Sequence, residues 1–140
     1  MASFYDQLIS ARGKFPTMGL VLEGQEKIWR IRGMNGLFMD LATEKEKVKK
    51  FLKRLEKFEI QIGLNQIEMG VNFMFVGGDV AYDKGMFYSP DMWRDFFKPY
   101  LYNLCKALKE AKPDIKLIYH GCGNESAIFD ELIECEIDAY

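Results

Sequence analysis

The stretch NFMFVGGD, residues 72–79, decides the fold class. It is a continuous apolar run that ends in two glycines and Asp79. Such a run is typical of a strand that is buried on both faces, as in a parallel sheet covered by helices. Two further apolar runs, MGLVL at 18–22 and IKLIYH at 115–120, predict companion strands. The terminal segment 137–140 predicts the beginning of another strand.

Segments with helical spacing separate these strands. Helices are expected over 2–12 and over 125–136. The stretch 25–41 is expected to contain either one short helix or two helices with a break at Gly33 to Gly36. Strands therefore alternate with helices along the chain. This alternation predicts an α/β protein with a parallel sheet wrapped by helices.

Two of the expected helices carry boundary signals. The longest helix is expected from Thr43 to about Gly70, because Thr43 can act as the N-cap with Glu46 in the capping-box position. Another helix is expected to begin after Ser89, a favourable N-cap residue. Pro99 lies inside that helix and predicts a kink, because a proline in a helix interior removes a backbone hydrogen bond.

Two architectures accommodate the alternation, a doubly wound open sheet and a (β/α)8 TIM barrel. A complete barrel takes about 250 residues, whereas this chain has 140. About half of a barrel is therefore expected. A half-barrel leaves two unpaired sheet edges, and exposed edges favour association. We expect the chain to be a fragment of a longer protein, to self-associate, or to pair with the missing half-barrel.

Composition excludes some classes of function. The chain has 19 basic and 21 acidic residues, which argues against general nucleic-acid binding. No apolar run approaches the roughly 18 residues of a membrane span, and the first residues lack the apolar core of a secretory signal. Three scattered cysteines without a CxxC pair fit a reducing compartment. The sequence predicts a cytoplasmic protein with a small-molecule substrate and neither nucleic-acid nor membrane partners.

Polar residues follow the ends of two predicted strands. The loop GGDVAYDKG contains Asp79 and Tyr82. The loop HGCGN contains His120, the only histidine of the chain, with Cys122 and Asn124. Because ligands of parallel α/β sheets bind at the carboxyl ends of the strands, both loops are expected on one rim.

His120 and Cys122 are candidate metal ligands. Side chains two residues apart in an extended segment point to the same side, and imidazole and thiolate are zinc ligands. Zinc needs a third protein ligand, and no further cysteine is well placed. The alternatives are a histidine that hydrogen-bonds substrate and a cysteine that packs. Asp79 is either a pocket carboxylate, acting as ligand, base or anchor, or a turn residue. Cys105 and Cys135 lie in helical patterns and are expected to be buried.

The stretch from Val71 to Tyr140 resembles the uroporphyrinogen decarboxylase (URO-D) family. The resemblance rests on FVGGDVAYDKGMFYSPDMWRDFFKPYLYNLCKAL, KLIYHGCGN and FDELIECEIDAY. Residues 1–70 are similar more loosely. The resemblance implies that residues 1–140 form a partial domain of this family, a (β/α)8 barrel with its pocket at the carboxyl ends of the strands.

The family implies two activities. Its decarboxylases remove carboxyl groups from a tetrapyrrole in porphyrin and heme biosynthesis, and they usually carry serine-aspartate after the strand-end histidine. Its other branch is similar to methylcobamide:coenzyme M methyltransferases, which hold zinc with an HxC motif and a distant cysteine. Those enzymes move a methyl group from a corrinoid to a thiol. A truncated barrel without activity is a third reading of this chain.

The motif His120-Gly-Cys122 favours the methyltransferase branch in this comparison. The resemblance then implies zinc on His120 and Cys122, with a third ligand outside this chain. It implies a catalytic and substrate-binding role for Asp79, and substrate contacts from Tyr82 and Asn124. A corrinoid, or a corrinoid protein, is the implied methyl donor. One departure is Gly78, which stands where the family has a second acidic residue.

Overall fold

The computed structural model describes residues 3–11 and 13–140. Five strands and six helices are assigned in this part of the chain, together with a 3₁₀ turn at Ser126–Ile128. In chain order they are α1 Phe4–Ala11, β1 Met18–Leu22, α2 Gly24–Thr43, α3 Lys45–Glu68, β2 Phe73–Gly77, β3 Ala81–Tyr82, β4 Gly85–Met86, α4 Pro90–Phe96, α5 Lys98–Ala111, β5 Lys116–His120 and α6 Phe129–Glu134.

The three long strands form one parallel sheet in the order β1-β2-β5. Their register aligns Leu22 with Gly77, and Gly77 with His120. The strand expected at 137–140 contributes one parallel bridge, between Ile118 and Ala139. The predicted α/β class with a parallel sheet is confirmed. The short antiparallel hairpin β3–β4, which follows β2, was not predicted.

The two faces of the sheet differ in how they are covered. The covered face contains Val21, Val76 and Tyr119, which are buried in the main core beneath the helices. The open face contains Leu20, which is 49% exposed, and the half-buried Phe75. The expectation that 72–79 is buried on both faces is therefore wrong for the described residues. In a closed barrel the open face would line the interior, and the other strands would cover it.

Two helix predictions are wrong in detail. Thr43 does not cap α3, because it is the last residue of α2 and its hydroxyl donates to the Met39 carbonyl at 2.8 Å. Helix α3 begins after Glu44, whose side chain makes no capping hydrogen bond. Pro99 does not kink a helix interior. The helix is interrupted at Phe97, between α4 and α5. The proline therefore lies in the first turn of α5, where its missing N–H costs nothing.

Other local predictions are confirmed. The break in α2 lies at Gly33, which has φ 72° and ψ 162°. Ser89 caps α4, and its hydroxyl accepts from the Met92 amide at 3.2 Å. Cys105 and Cys135 are buried free thiols. None of the helices in the described ranges is long and apolar enough to cross a membrane.

The outer edge of β1 is occupied by side chains. The Gln66 amide accepts from the Leu20 N–H at 2.7 Å and donates to the Leu20 carbonyl at 2.9 Å. At Leu22, the N–H donates to Glu59 at 2.7 Å, and the carbonyl accepts from the Tyr100 hydroxyl at 3.1 Å. The unpaired edge expected for a half-barrel is thus satisfied by side chains at these two residues, which blocks strand addition there.

Candidate metal centre

The carboxyl ends of β1, β2 and β5, which we call the rim, bring the two polar loops together. Gly77 pairs with His120 across neighbouring strands, and the Gly78 amide donates to the His120 carbonyl at 2.9 Å. Asp79 follows directly, and its carboxylate accepts from the Cys122 amide at 3.0 Å. The expected convergence of the two loops is therefore present.

Asp79, His120 and Cys122 form a cluster of donor atoms, which we call the ligand triad. One ligand atom from each lies within 4.8 Å of the other two. The Cys122 Sγ lies 3.6 Å from His120 Nε2, and this nitrogen lies 3.8 Å from Asp79 Oδ1. The family resemblance implied a third ligand outside this chain, whereas the structure supplies a third potential ligand in Asp79.

The imidazole of the triad lies on the open face of the sheet. His120 stacks on the Phe75 ring with centroids 5.5 Å apart and planes 26° apart. Its side chain is 51% exposed, and that of Asp79 is 31% exposed. The ring is therefore held by one aromatic neighbour while its nitrogen stays accessible to a ligand.

The triad keeps its thiol protonated in the absence of a metal. A hydrogen bond to the Asp79 carboxylate and the negative charge of that group raise the pKa of the Cys122 thiol. A metal ion reverses this balance, because it favours the deprotonated ligand and neutralises the carboxylate. Binding of a metal by this triad should therefore release a proton.

Tyr82 and Asn124 lie beside the triad. Both line an open cleft of about 620 Å³ next to the β3–β4 hairpin. The Tyr82 ring stacks on Phe87, and its carbonyl accepts from the Asn124 amide at 2.8 Å. The Asn124 side-chain oxygen accepts from the amide and hydroxyl of Ser126, so it stabilises the loop locally. Their contact with substrate stays a prediction.

Two buried carboxylates behind the rim were not predicted. Glu23 is fully buried and Glu125 is 2% exposed. Burial raises the pKa of Glu23 to about 7, although hydrogen bonds from Gln25 and Tyr119 oppose the rise. Burial and the nearby Glu23 charge raise the pKa of Glu125 to about 8. The Val80 amide opposes part of this second rise.

A steric constraint explains the glycine at position 78 of this chain. A Cβ placed on Gly78 would lie 2.0 Å from the Glu23 carboxylate and 2.8 Å from the Tyr119 hydroxyl. No side chain fits there while Glu23 is in place. The glycine thus accompanies a buried acid, Glu23, which lies between β1 and α2.

Comparisons with known proteins identify the family and the fold of the chain. The family model of uroporphyrinogen decarboxylase (URO-D) matches residues 12–140. The chain belongs to the uroporphyrinogen decarboxylase family. A methyltransferase from Methanosarcina mazei has a similar structure, with a TM-score of 0.73 and 21% sequence identity. No curated protein sequence matches the chain.

The URO-D match and the structural neighbour confirm the predicted barrel class. The similarity to the methyltransferase covers 95% of this chain and 39% of that protein. The chain thus spans well under half the length of its structural neighbour, and it contains a partial barrel. At this level of identity the similarity describes the fold.

Proposed function

We propose that this chain is part of a zinc-dependent, methyltransferase-type member of the URO-D family. Asp79, His120 and Cys122 would hold the zinc, and the reaction would move a methyl group from a corrinoid to a thiol substrate. The single observation that carries the proposal is the ligand triad, whose donor atoms lie within 4.8 Å of one another. Its position at the rim is where barrel enzymes of this architecture bind substrate.

The spacing of the triad fits a zinc ion. A tetrahedral ion with Zn–S of about 2.3 Å and Zn–N of about 2.0–2.1 Å separates sulfur from nitrogen by about 3.5 Å. The separation of Cys122 Sγ and His120 Nε2 is 3.6 Å. Thiolate, imidazole and carboxylate together form a donor set that zinc accepts. Three protein ligands leave a fourth position open, as in catalytic zinc sites.

The residues around the triad have separate tasks in this proposal. Zinc supplies a Lewis acid that lowers the pKa of a bound thiol and so activates it as a nucleophile. Phe75 holds the imidazole ring by stacking on one side. Asp79 fixes the Cys122 backbone by accepting a hydrogen bond from its amide. The rim, at the carboxyl ends of the strands, is the side from which a thiol can approach.

The complete reaction needs more than this chain. The structural neighbour is about two and a half times as long as the part that is similar. We propose that the remaining strands of a barrel, or a second half-barrel, cover the open face and complete the pocket. The methyl donor is a corrinoid, free or bound to its own protein, and the acceptor is a small thiol.

Decarboxylation of a porphyrinogen is the alternative activity. It requires no metal, and the glycine at 78 leaves Asp79 without the second acid that this family carries beside it. The donor set at the rim is better suited to binding a metal than to decarboxylation. A protein that binds no metal would return the decarboxylase or an inactive barrel piece to first place.

Zinc content by elemental analysis tests the proposal directly. We expect close to one zinc per chain in the wild type, after purification or reconstitution, and loss of most of it in His120→Ala, Cys122→Ser and Asp79→Asn. Asp83→Asn is the matched control, because Asp83 is exposed in the same loop as Asp79. A wild type that holds no zinc, or variants that hold as much as the wild type, would contradict the proposal.

A further inference from the structure

A row of three residues crosses the sheet just behind the rim. Leu22, Gly77 and His120 are aligned in the register, so the next residues, Glu23, Gly78 and Gly121, follow side by side. Gly78 and Gly121 have no side chains, and carboxylates fill the space that side chains would occupy there. A Cβ on Gly78 would lie 2.0 Å from Glu23 Oε2, and a Cβ on Gly121 would lie 1.9 Å from Glu125 Oε1.

The two carboxylates therefore occupy neighbouring positions on the covered face. Adjacent strands are about 4.8 Å apart, which sets the scale of the separation between the two acids. Glu23 accepts from the Tyr119 hydroxyl and the Gln25 amide, both at 2.9 Å. We call Glu23 and Glu125 the carboxylate pair.

Several oxygens around the pair have no partner. Among the described residues, the second oxygen of Glu23 and the Gln25 side-chain oxygen have no hydrogen-bond partner, and the Glu125 carboxylate has only a weak contact with the Val80 amide. The buried Tyr88 hydroxyl is also without a partner among these residues. Gln25 is 1% exposed, and its amide nitrogen binds Glu23, so its unpartnered oxygen is buried beside the pair. Unsatisfied buried acceptors in such number indicate a missing ion or water.

No cationic side chain in the described part of the chain compensates the pair. Within the described ranges, besides burial, the groups that shift the pKa of Glu23 are Gln25, Tyr119 and Glu26. Besides burial, the groups that shift the pKa of Glu125 are Glu23, Asp79 and the Val80 amide. Two buried acids without a lysine, arginine or histidine partner are strongly unfavourable when ionised. A small cation would remove this cost.

We propose that Glu23 and Glu125 form a second, buried site for a hard divalent cation, Ca²⁺ or Mg²⁺. The donors are all oxygens, the set that these ions prefer and that differs from the thiolate-containing triad. Gln25 and Tyr88 can supply further oxygens. Because Gly78 precedes Asp79 and Gly121 precedes Cys122, an ion here would tie together the two loops of the ligand triad. The site does not depend on the proposed zinc chemistry.

Calorimetric titration separates this site from the triad. The double variant His120→Ala, Cys122→Ser lacks two ligands of the triad and keeps the carboxylate pair intact. At a pH above the pKa of both acids, we expect it to bind one Ca²⁺ or Mg²⁺ per chain and to unfold at a higher temperature with the ion than with a chelator. Adding Glu125→Gln should weaken binding by more than about tenfold, since even indirect changes to a metal site commonly cost 10–100-fold in affinity.

Glu134→Gln is the control, because Glu134 is an exposed acid that pairs with Lys98 on the surface. It should bind the ion as the parent does. The proposal would be overturned if millimolar Ca²⁺ or Mg²⁺ produced no binding heat and no rise in the unfolding temperature. A shared proton or a buried water would then be the occupant. Binding that persists after Glu125→Gln would overturn the proposal as well. Where that variant does not fold, Glu23→Gln and Glu125→Asp are measured in its place.

Discussion

The covered and open faces of one sheet differ in how far they expose their acidic side chains to solvent. On the open side of the rim, Asp79, His120 and Cys122 are partly exposed and lie within reach of one another. On the covered side, Glu23 and Glu125 are buried and have unpartnered oxygens. Successive side chains of a strand point to opposite faces, so one residue step along the rim separates the two environments.

The difference shows what each arrangement can do. The exposed triad can exchange ligands with solvent and bind a substrate, which a catalytic metal requires. The buried pair is inaccessible to a substrate, and in our proposal it would hold, with a bound cation, the loops behind the triad. The buried pair depends on glycines, because Gly78 and Gly121 leave space for its carboxylates.

Gly121→Ala should give the largest effect. Its Cβ would overlap the Glu125 carboxylate, which is 2% exposed and has little room to move. We expect a loss of about 3 kcal/mol in the free energy of unfolding, the upper range for overpacking. Urea unfolding measures it.

A second substitution tests whether the carboxylate is the cause. Gly121→Ala combined with Glu125→Ala should be more stable than Gly121→Ala alone, because the clash is removed. If the double variant is less stable than the single one, the overlap with Glu125 does not explain the glycine, and the covered side would be less tightly packed than we describe.

The pH dependence of stability should be the next largest effect. Burial raises the pKa of Glu23 to about 7 and of Glu125 to about 8. An acid whose folded pKa is raised binds more protons in the folded state than in the unfolded state, so stability is lost as pH rises. We expect the free energy of unfolding, measured with a chelator present, to fall by about 2 kcal/mol or more between pH 5 and 8.

The variant Glu125→Gln should flatten this dependence, because it removes one of the two titrating acids. Asp138 is a natural contrast, since hydrogen bonds from the Leu117 amide and from lysines lower its pKa to about 2 despite partial burial. It therefore contributes no change over the same range of pH. A stability that rises from pH 5 to 8 would contradict the raised pKa values of the pair.

The open side was predicted from the sequence more completely than the covered side. Strand ends in a parallel sheet meet at one rim, so Asp79, His120 and Cys122 could be placed together before the structure was known. Glu23 and Glu125 were missed because both are charged residues outside the strands, and charged residues are seldom buried. Only the two glycines beside them indicate the space that they occupy.

The covering of the sheet could not be predicted for a different reason. A strand such as 72–79 is apolar on both sides, so the pattern does not tell which face the helices cover. Thr43 and Pro99 show the same limit at helix ends, because a capping signal does not reveal which of two adjacent helices a residue joins. The edge of β1 depends on Gln66, which lies far away in the chain.

Two neighbouring residues on β1 test the contrast between the faces most simply. Val21 is fully buried on the covered face, whereas Leu20 is 49% exposed on the open face. We expect Val21→Ala to cost about 2 kcal/mol in the free energy of unfolding, because it leaves a cavity in the core. Leu20→Ala should cost less than about 1 kcal/mol in the isolated chain, as partly exposed substitutions do.

Protein concentration then decides whether the open face has a partner. If a second half-barrel or another copy covers Leu20, the cost of Leu20→Ala should grow with concentration, because the substitution weakens the assembly that stabilises the fold. The cost of Val21→Ala in the free energy of unfolding should stay at about 2 kcal/mol in a dilute, dissociated sample, because this side chain is buried within one chain. Equal costs for the two substitutions in dilute solution would mean that both faces are already covered within one chain, which would contradict the open face described above.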